Sequence, residues 1–262
     1  MDGVEQPLPG GRMTDGVVRR GGDILRPLGA WSPAVHEYLR HLERVGFPGA
    51  PRVRGIEGGR EVLTYLDGEV PADPQWEPGR GNRLPPYART ERALVAAAAL
   101  VRDLHTAAAG FTPRVTDYRF HPHPPRDGEL VTHGDLGPWN TVYRDGLPVA
   151  FIDWDSAEPA EPIVDLAAAA WAFVPLAPDD QLRESGFDPL PDLGARLRAF
   201  VDGYGLAGRA EILPALQRAA MRDVARVRLW PIGPADVAAA LDHYAAELRW
   251  LQGIMPDLAR AL

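Results

Sequence analysis

The sequence of 262 residues predicts an α+β fold in which a small β-rich unit precedes a larger, mainly helical one. Short apolar runs separated by paired glycines fill residues 16–66, which is the pattern of strands joined by tight turns. Glycine and proline dominate residues 68–87. The last 100 residues repeat apolar side chains three and four positions apart, as amphipathic helices do. We therefore expect two units joined by a connector.

The first unit, assigned to residues 1–67, is expected to hold four strands and one helix. The strands are predicted as two runs within 16–26 and one run each at 53–56 and 61–66. Between these pairs of runs, an amphipathic helix is predicted with Ser32 as its N-cap, Pro33 at its first position and Gly46 at its end. This arrangement predicts a small sheet that carries a single helix.

The second unit, assigned to residues 88–262, follows a hinge at 68–87. It is expected to begin with a helix over 90–109. Three short strands are then predicted near 130–132, 142–143 and 149–152. Four further helices are predicted at 162–174, 192–204, 209–229 and 234–253. The helical unit therefore encloses a compact β segment.

The composition excludes several classes of chemistry. The chain has no cysteine, so disulfide frameworks, thiolate zinc sites and cysteine nucleophiles are ruled out. All 28 basic residues are arginine, which excludes Schiff-base chemistry and a P-loop lysine. With a net charge of -8 and neither an export signal nor a membrane span in the sequence, we expect a cytoplasmic protein without nucleic-acid or membrane partners. The sequence leaves the oligomeric state open.

The chemistry is concentrated in two segments, His133–Asn140 with the sequence HGDLGPWN and Phe151–Asp155 with the sequence FIDWD. Phosphoryl transfer needs a carboxylate beside the attacking hydroxyl, together with an amide oxygen and a second carboxylate that hold magnesium. Asp135, Asn140 and Asp153 provide these three groups. A hairpin between the two segments returns the chain, so the second carboxylate is expected at the same edge as the first. Oxygen ligands of this kind suit magnesium better than zinc.

At these residues the sequence resembles the aminoglycoside phosphotransferase and choline kinase superfamily, whose members are related to protein kinases. The resemblance implies a two-lobed, protein-kinase-like fold with a reduced β-rich N-lobe and a mainly helical C-lobe. It implies that Asp135 is the catalytic base and that Asn140 and Asp153 bind magnesium. By the same resemblance, His133 positions the backbone of the loop that contains Asp135 and Asn140, here called the catalytic loop, and Asp165 supports this loop. The expected substrates are ATP, with GTP as the alternative, and a small molecule with a free hydroxyl.

The nucleotide site departs from that family, because its members hold phosphates with a strand lysine paired with a helix glutamate. An arginine is expected to substitute for this lysine. Arg26 is predicted for this contact, with Glu37 on the following helix as its partner, and Arg19 is the second candidate. Tyr65 and Leu66 are expected to contact the nucleotide between the two lobes.

Two segments allow more than one interpretation. Residues 10–14 (GGRMT) are either a short phosphate-binding loop or an N-terminal turn. Asp155 either extends the metal or substrate site or belongs to a solvated charge run. Acidic side chains favour a cationic amino-hydroxy acceptor such as an aminoglycoside. The candidates for this role are Asp155, Glu158, Asp223 and Glu247.

Two alternative functions remain at this point. The missing lysine suggests a catalytically degenerate kinase-like protein that binds a ligand or partner in an immunity or regulatory role. His121 and His123, near His133 and Asp135, suggest a metal-dependent hydrolase, although no His-Glu-x-x-His pattern accompanies them. Magnesium-dependent ATP consumption distinguishes the phosphotransferase from the binding protein, and metal content tests the hydrolase.

Overall fold

The computed structural model describes residues 4–8, 14, 16–73, 80–230 and 233–262. Its N-terminal part contains five strands: β1 (Gln6–Pro7), β2 (Val18–Arg20), β3 (Asp23–Pro27), β4 (Val53–Glu57) and β5 (Arg60–Thr64). They form one antiparallel sheet in the order β1-β2-β3-β5-β4. The four predicted strands are therefore present, and β1 is an additional edge strand.

The glycine pairs form the tight turns that the sequence predicts. Gly58 and Gly59 connect β4 to β5 with φ angles of +55° and +77°, which residues other than glycine rarely adopt. Strand β5 ends at Thr64, two residues before the predicted end. Because β3 pairs with β5, Arg26 lies directly opposite Glu61 in the sheet. The strand order thus places an arginine beside a glutamate that is distant in sequence.

Helix α1 (Ser32–Arg44) connects β3 to β4 and covers one face of the sheet. Ser32 is its first residue instead of the predicted N-cap, since the cap position is Trp31. The Ser32 hydroxyl accepts a hydrogen bond from the Gly29 amide, so it closes the turn that precedes the helix. The buried face includes Tyr38, which is inaccessible to solvent. An apolar face of this kind attaches the helix to the rest of the protein.

The predicted hinge leads into helix α2 (Glu91–Ala108) through a short 3-10 helix. The Thr90 hydroxyl caps α2 by accepting a hydrogen bond from the Ala93 amide at 3.1 Å. Before the 3-10 helix, Glu69 forms an isolated β-bridge with Tyr143. The described part of the hinge is therefore attached to the second unit by backbone hydrogen bonds.

Two small antiparallel pairs follow α2. They are built from β6 (Leu130–Thr132), β7 (Thr141–Arg144), β8 (Leu147–Phe151) and β9 (Glu158–Ala160), with β6 paired to β9 and β7 to β8. Asp145 and Gly146 connect β7 to β8 with φ angles of +52° and +74°. Strand β9 was not predicted, because its Glu-Pro-Ala sequence gives no strand signal. Its pairing with β6 buries Glu158 beside the segment that follows β6.

Five helices complete the described chain. They are α3 (Pro162–Phe173), α4 (Asp179–Glu184), α5 (Leu193–Tyr204), α6 (Ile212–Val227) and α7 (Pro234–Ala261). The four predicted helices are present, with α7 longer than expected, and the short α4 is additional. No helix in the described residues combines the length and the apolarity needed to cross a bilayer.

The main core lies where α2, α3, α5 and α6 meet. Leu104, Leu166, Phe200 and Leu216 come from these four helices, and all are fully buried. Small residues allow close packing, because a side chain at Gly203 of α5 would begin 3.0 Å from a backbone oxygen of α2. Each large apolar side chain buried here contributes about 1.5 to 3 kcal/mol. This helical core supports the loop that follows β6.

Candidate active site

The loop after β6 is fixed by a buried histidine. The His133 ring is inaccessible to solvent, and its Nδ1 lies 3.3 Å from the Asp135 amide, which donates to it. Nε2 therefore carries the proton and donates to the Ile152 carbonyl at 3.0 Å. Burial lowers the pKa of His133 to about 4, so the ring is neutral at pH 7. This geometry agrees with the predicted role of His133 in holding backbone.

Asp135 and Asn140 are in direct contact at the other end of the same loop. The Asn140 side-chain amide donates to Asp135 Oδ2 at 2.8 Å and to the Asp135 carbonyl at 2.9 Å. Burial raises the pKa of Asp135 to about 6, and the nearby charge of Asp153 adds to this effect. The carboxylate is therefore oriented by Asn140 and remains a moderately strong base at neutral pH.

Asp153 arrives at this site through the β7-β8 hairpin, as predicted. The Ile152 amide donates to the Asn140 carbonyl at 2.9 Å, so the residues before Asp153 lie beside the end of the loop. Asp153 has a φ of +59°, and its side chain is 39% exposed. Neither Asn140 Oδ1 nor Asp153 Oδ2 accepts a hydrogen bond from a described residue. This pair of free oxygens fits the donor set that magnesium prefers.

Arg26 enters the same site from β3 and is surrounded by carboxylates. Its Nε lies 2.9 Å from Glu61 Oε1, and Nη1 lies 3.2 Å from Asp153 Oδ1. Nη2 contacts Asp155, which is buried. Burial by itself would lower the pKa of Arg26, but the charges of Asp155, Asp153 and Glu61 outweigh it and raise that pKa. Arg26 therefore stays charged at any pH at which the protein folds.

The predicted ion pair between Arg26 and Glu37 is wrong. Glu37 accepts a hydrogen bond from Arg114 Nε at 2.8 Å and from the backbone amides of Arg114 and Val115. His36, one residue earlier on α1, instead contacts Glu61 Oε2 at 2.5 Å. Successive helical residues point about 100° apart, so a shift of one position changes which side of α1 faces Arg26.

Glu61 and His36 are thus functional candidates that the sequence analysis missed. Glu61 was assigned to a strand without a role, and its pairing with Arg26 depends on β5 lying next to β3. Both side chains are buried. A glutamate within a run predicted as strand was the available signal, since a carboxylate that becomes buried there requires a cationic or hydrogen-bonding partner.

Asp165 supports the catalytic loop from α3, as the resemblance implied. One carboxylate oxygen accepts from the Gly134 amide at 3.1 Å, and the other lies 3.2 Å from His105 Nε2. Burial would raise the pKa of Asp165, but the hydrogen bond from His105 and nearby positive charges lower it to about 2. A fully buried and ionised carboxylate therefore holds the loop one residue before Asp135.

The four acidic candidates for acceptor binding occupy two different environments. Asp155 contacts Arg26 through Oδ2, and the two carboxylate oxygens of Glu158 contact Arg226 and His121, so both side chains belong to buried internal ion pairs. This corrects the expectation for those two residues. Asp223 and Glu247 lie on α6 and α7. Burial is the main cause of the raised pKa of both Asp135 and Glu247, and the charge of Asp223 contributes to each.

Of the remaining nucleotide candidates, Arg19 lies on β2, and Tyr65 and Leu66 follow β5. The Arg19 guanidinium stacks on the Tyr65 ring, 3.7 Å from its centroid, so it is not one of the groups around Asp153. Tyr65 also donates its amide hydrogen to the Gly22 carbonyl, and Leu66 follows it half-buried. Residues 10–13 of the proposed phosphate loop lie outside the described residues.

The geometry gives no support to the metal-dependent hydrolase. His121 Nδ1 lies 2.6 Å from Glu158 Oε2, whereas His123 Nδ1 lies 2.8 Å from the Pro124 carbonyl. Across the part of the chain that the structure describes, no group of three or more His, Cys, Asp or Glu residues is arranged to hold a metal ion. His121 is instead part of the buried charge network around Glu158.

Comparisons with known proteins identify the family of the chain. Residues 83–200 match the phosphotransferase enzyme family. The trifolitoxin immunity protein of Rhizobium leguminosarum bv. trifolii is 37% identical over 204 residues, which cover 76% of this chain and 72% of that protein.

Solved structures share the fold at low sequence identity. Amicoumacin kinase in complex with AMP-PNP, Ca²⁺ and Ami has a TM-score of 0.60 at 16% identity, with 93% of this chain and 87% of that chain covered. Aminoglycoside phosphotransferase APH(3'')-Id of Streptomyces rimosus in complex with ADP and streptomycin has a TM-score of 0.52 at 18% identity, covering 82% and 94% of the two chains. The predicted two-lobed, kinase-like fold is therefore confirmed.

Proposed function

The chain belongs to the phosphotransferase enzyme family, and from this premise we propose that it transfers the terminal phosphoryl group of ATP to a hydroxyl of a small molecule. The observation that carries the proposal is the 2.8 Å contact between Asn140 Nδ2 and Asp135 Oδ2, at the point where the hairpin delivers Asp153. The free oxygens of Asn140 and Asp153 suit magnesium. When bound, the nucleotide would supply the phosphoryl group, and magnesium would offset the negative charge of its phosphates.

In this proposal, Asp135 performs the proton transfer. Its carboxylate accepts a hydrogen bond from the acceptor hydroxyl and takes the proton as that oxygen attacks. A pKa of about 6 leaves Asp135 mostly ionised at pH 7.5 while it stays basic enough to accept the proton. Asn140 holds this carboxylate in place, and Asp165 and His133 hold the backbone on either side.

We assign the phosphate contact to Arg26. It is a buried cation in contact with Asp153, and the guanidinium can bind phosphate through two parallel hydrogen bonds. Glu61 fixes its Nε side, and phosphate oxygens would compete with Asp153 and Asp155 for the two terminal nitrogens. AMP-PNP and ADP in the related structures support an adenine nucleotide for this chain. Those complexes offer no support for GTP.

The acceptor is proposed to be a cationic amino-hydroxy compound. The support comes from Asp223 on α6, which lies 3.4 Å from Arg226 but keeps 31% of its side chain exposed, and from Glu247 on α7, which is partly ionised at pH 7 because its pKa is about 7. A positively charged amine is attracted to such a cleft, and a nearby hydroxyl is then brought to Asp135.

A second candidate function is a binding protein without turnover. Arg26 is already engaged by Asp153 and Asp155, so nucleotide binding must compete with these two ion pairs. The similarity to a trifolitoxin immunity protein favours a role in immunity for this alternative. Ligand binding without ATP consumption is the property that identifies it.

One experiment distinguishes the two candidates. ATP consumption with magnesium is measured over a panel of aminoglycosides, amino sugars, choline, nucleosides and macrolides, and ADP binding is measured by calorimetry. Asp135→Asn should lower turnover by about 10² to 10⁴ while ADP affinity stays within a few-fold. Asp117→Asn, at an exposed carboxylate, is the matched control and should change neither value. Equal turnover in Asp135→Asn and the native protein would refute the assigned base.

A further inference from the structure

A buried arginine on α6 contacts the peptide group in front of Asp135. Arg226 Nη1 donates to the Gly134 carbonyl at 2.6 Å, and this carbonyl belongs to the peptide bond that joins Gly134 to Asp135. The arginine is 5% exposed and comes from 92 residues further along the chain. A hydrogen bond from a charged donor to a buried carbonyl is among the stronger interactions in a protein.

Arg226 is itself held in place on several sides. Its Nη2 contacts Glu158, which is 1% exposed and also accepts a hydrogen bond from His121 at 2.6 Å. Nη1 lies 3.4 Å from Asp223 on the same helix, and the guanidinium lies 5.2 Å from the Phe120 ring centroid. These contacts restrict the movement of the guanidinium. Through its hydrogen bond, Arg226 therefore holds the Gly134 carbonyl at a fixed position relative to α6.

Glycine at position 134 makes this contact possible. A Cβ atom there would lie 2.8 Å from Arg226 Nη2 and 2.1 Å from the Ser156 carbonyl oxygen. Gly134 also has a φ of +80°, which residues other than glycine rarely adopt. The protein-kinase pattern His-Arg-Asp has an arginine at this position. Here the position is a glycine, and the side chain of an arginine from α6 lies beside it.

We infer that Arg226 is a positioning residue for Asp135: it holds the Gly134 carbonyl, in the peptide group that joins Gly134 to Asp135, while Asp165 holds the Gly134 amide, in the preceding peptide group. Two buried side chains from different helices thus fix the backbone immediately before Asp135. The inference rests on the proposed function in one respect, since Asp135 is taken as the base. Arg226 touches neither substrate nor nucleotide in this role.

The test compares Arg226→Met with Arg218→Met, which removes an exposed arginine of the same helix. Arg226→Met should speed amide hydrogen exchange in residues 133–140 by on the order of tenfold or more, with α2 unaffected. It should lower kcat on the order of 10²-fold, because small displacements of a catalytic group have large effects, and leave the KM for ATP within a few-fold. Arg218→Met should change none of these values.

The exchange measurement separates this inference from the proposed function. If the native protein consumes no ATP with any acceptor, the proposed function fails, yet faster exchange confined to 133–140 still supports the clamp. Unchanged exchange in a folded Arg226→Met protein overturns the inference.

If Arg226→Met does not fold, the same measurements on Arg226→Lys test the inference. Its single ammonium cannot serve Gly134 and Glu158 together, so exchange in the loop should rise and kcat should fall in the same variant. Unfolding of both variants, or native exchange and kcat in Arg226→Lys, contradicts the inference.

Discussion

Glu247 is a carboxylate whose burial makes the stability of the protein depend on pH. Its side chain is 22% exposed, and burial raises its pKa from 4.5 to about 7, with a further contribution from the charge of Asp223. His243 lies 3.4 Å away, but burial lowers its pKa, so it is neutral at pH 8 and offsets no charge. The ionised form of Glu247 is therefore unfavourable in the folded state.

The magnitude follows from the two pKa values. A folded-state pKa above the unfolded value gives stability that is fully present below about pH 4.5 and is lost as the pH rises through about 7. The difference of roughly 2.5 pKa units corresponds to about 3 kcal/mol at pH 8 and to about 1 kcal/mol at pH 5.5. Glu247→Gln removes this cost, so the variant should be more stable than the native protein, and by more at pH 8.

Thermal unfolding at the two pH values checks this prediction. A gain of about 3 kcal/mol at pH 8 corresponds to a rise in Tm of roughly 6 to 12 °C for a chain of this size. Glu43→Gln changes an exposed glutamate and should leave Tm within about 1 °C at both pH values. A Tm difference between Glu247→Gln and the native protein that is the same at pH 5.5 and pH 8 would show that Glu247 ionises normally in the folded protein.

Three further predictions concern the site and the core. Arg26→Met should lower the free energy of unfolding by about 3 to 5 kcal/mol in urea titrations, because the buried Asp155 would lose its contact with Arg26 and the buried Glu61 would keep only His36; a loss below about 1 kcal/mol would contradict this. Asp153→Asn should weaken magnesium-dependent ATP binding in calorimetry more than binding without magnesium, and an equal effect on both would argue against Asp153 as a metal ligand. Phe200→Ala should cost about 3 to 5 kcal/mol in stability, and a smaller loss would mean that the core collapses into the cavity.

The proximity of the proposed site residues could be predicted from the sequence because it depends on local structure. Asp135 and Asn140 lie on one short loop, and their contact spans only five positions. The two-residue turn at Asp145 and Gly146, with its positive φ angles, closes the hairpin that returns the chain toward Asn140, and a register shift between Val142 and Tyr143 then adjusts where Asp153 arrives. Turn chemistry and the 3.6-residue period of helices act within short windows of sequence, so the sequence determined these features by itself.

The partners of the buried charges were decided by the tertiary structure. Arg26 meets Asp153 across 127 positions, and Arg226 meets Gly134 across 92 positions. The sequence showed that these charges exist, and a buried charge must have a partner, but many acidic and basic residues could have served. The choice depends on which strand lies beside β3 and on which side of a helix faces inward. His36 and Glu37 are neighbours on α1 and point in directions about 100° apart. Only the assembled fold specifies that His36, and not Glu37, faces the ion pair of Arg26 and Glu61.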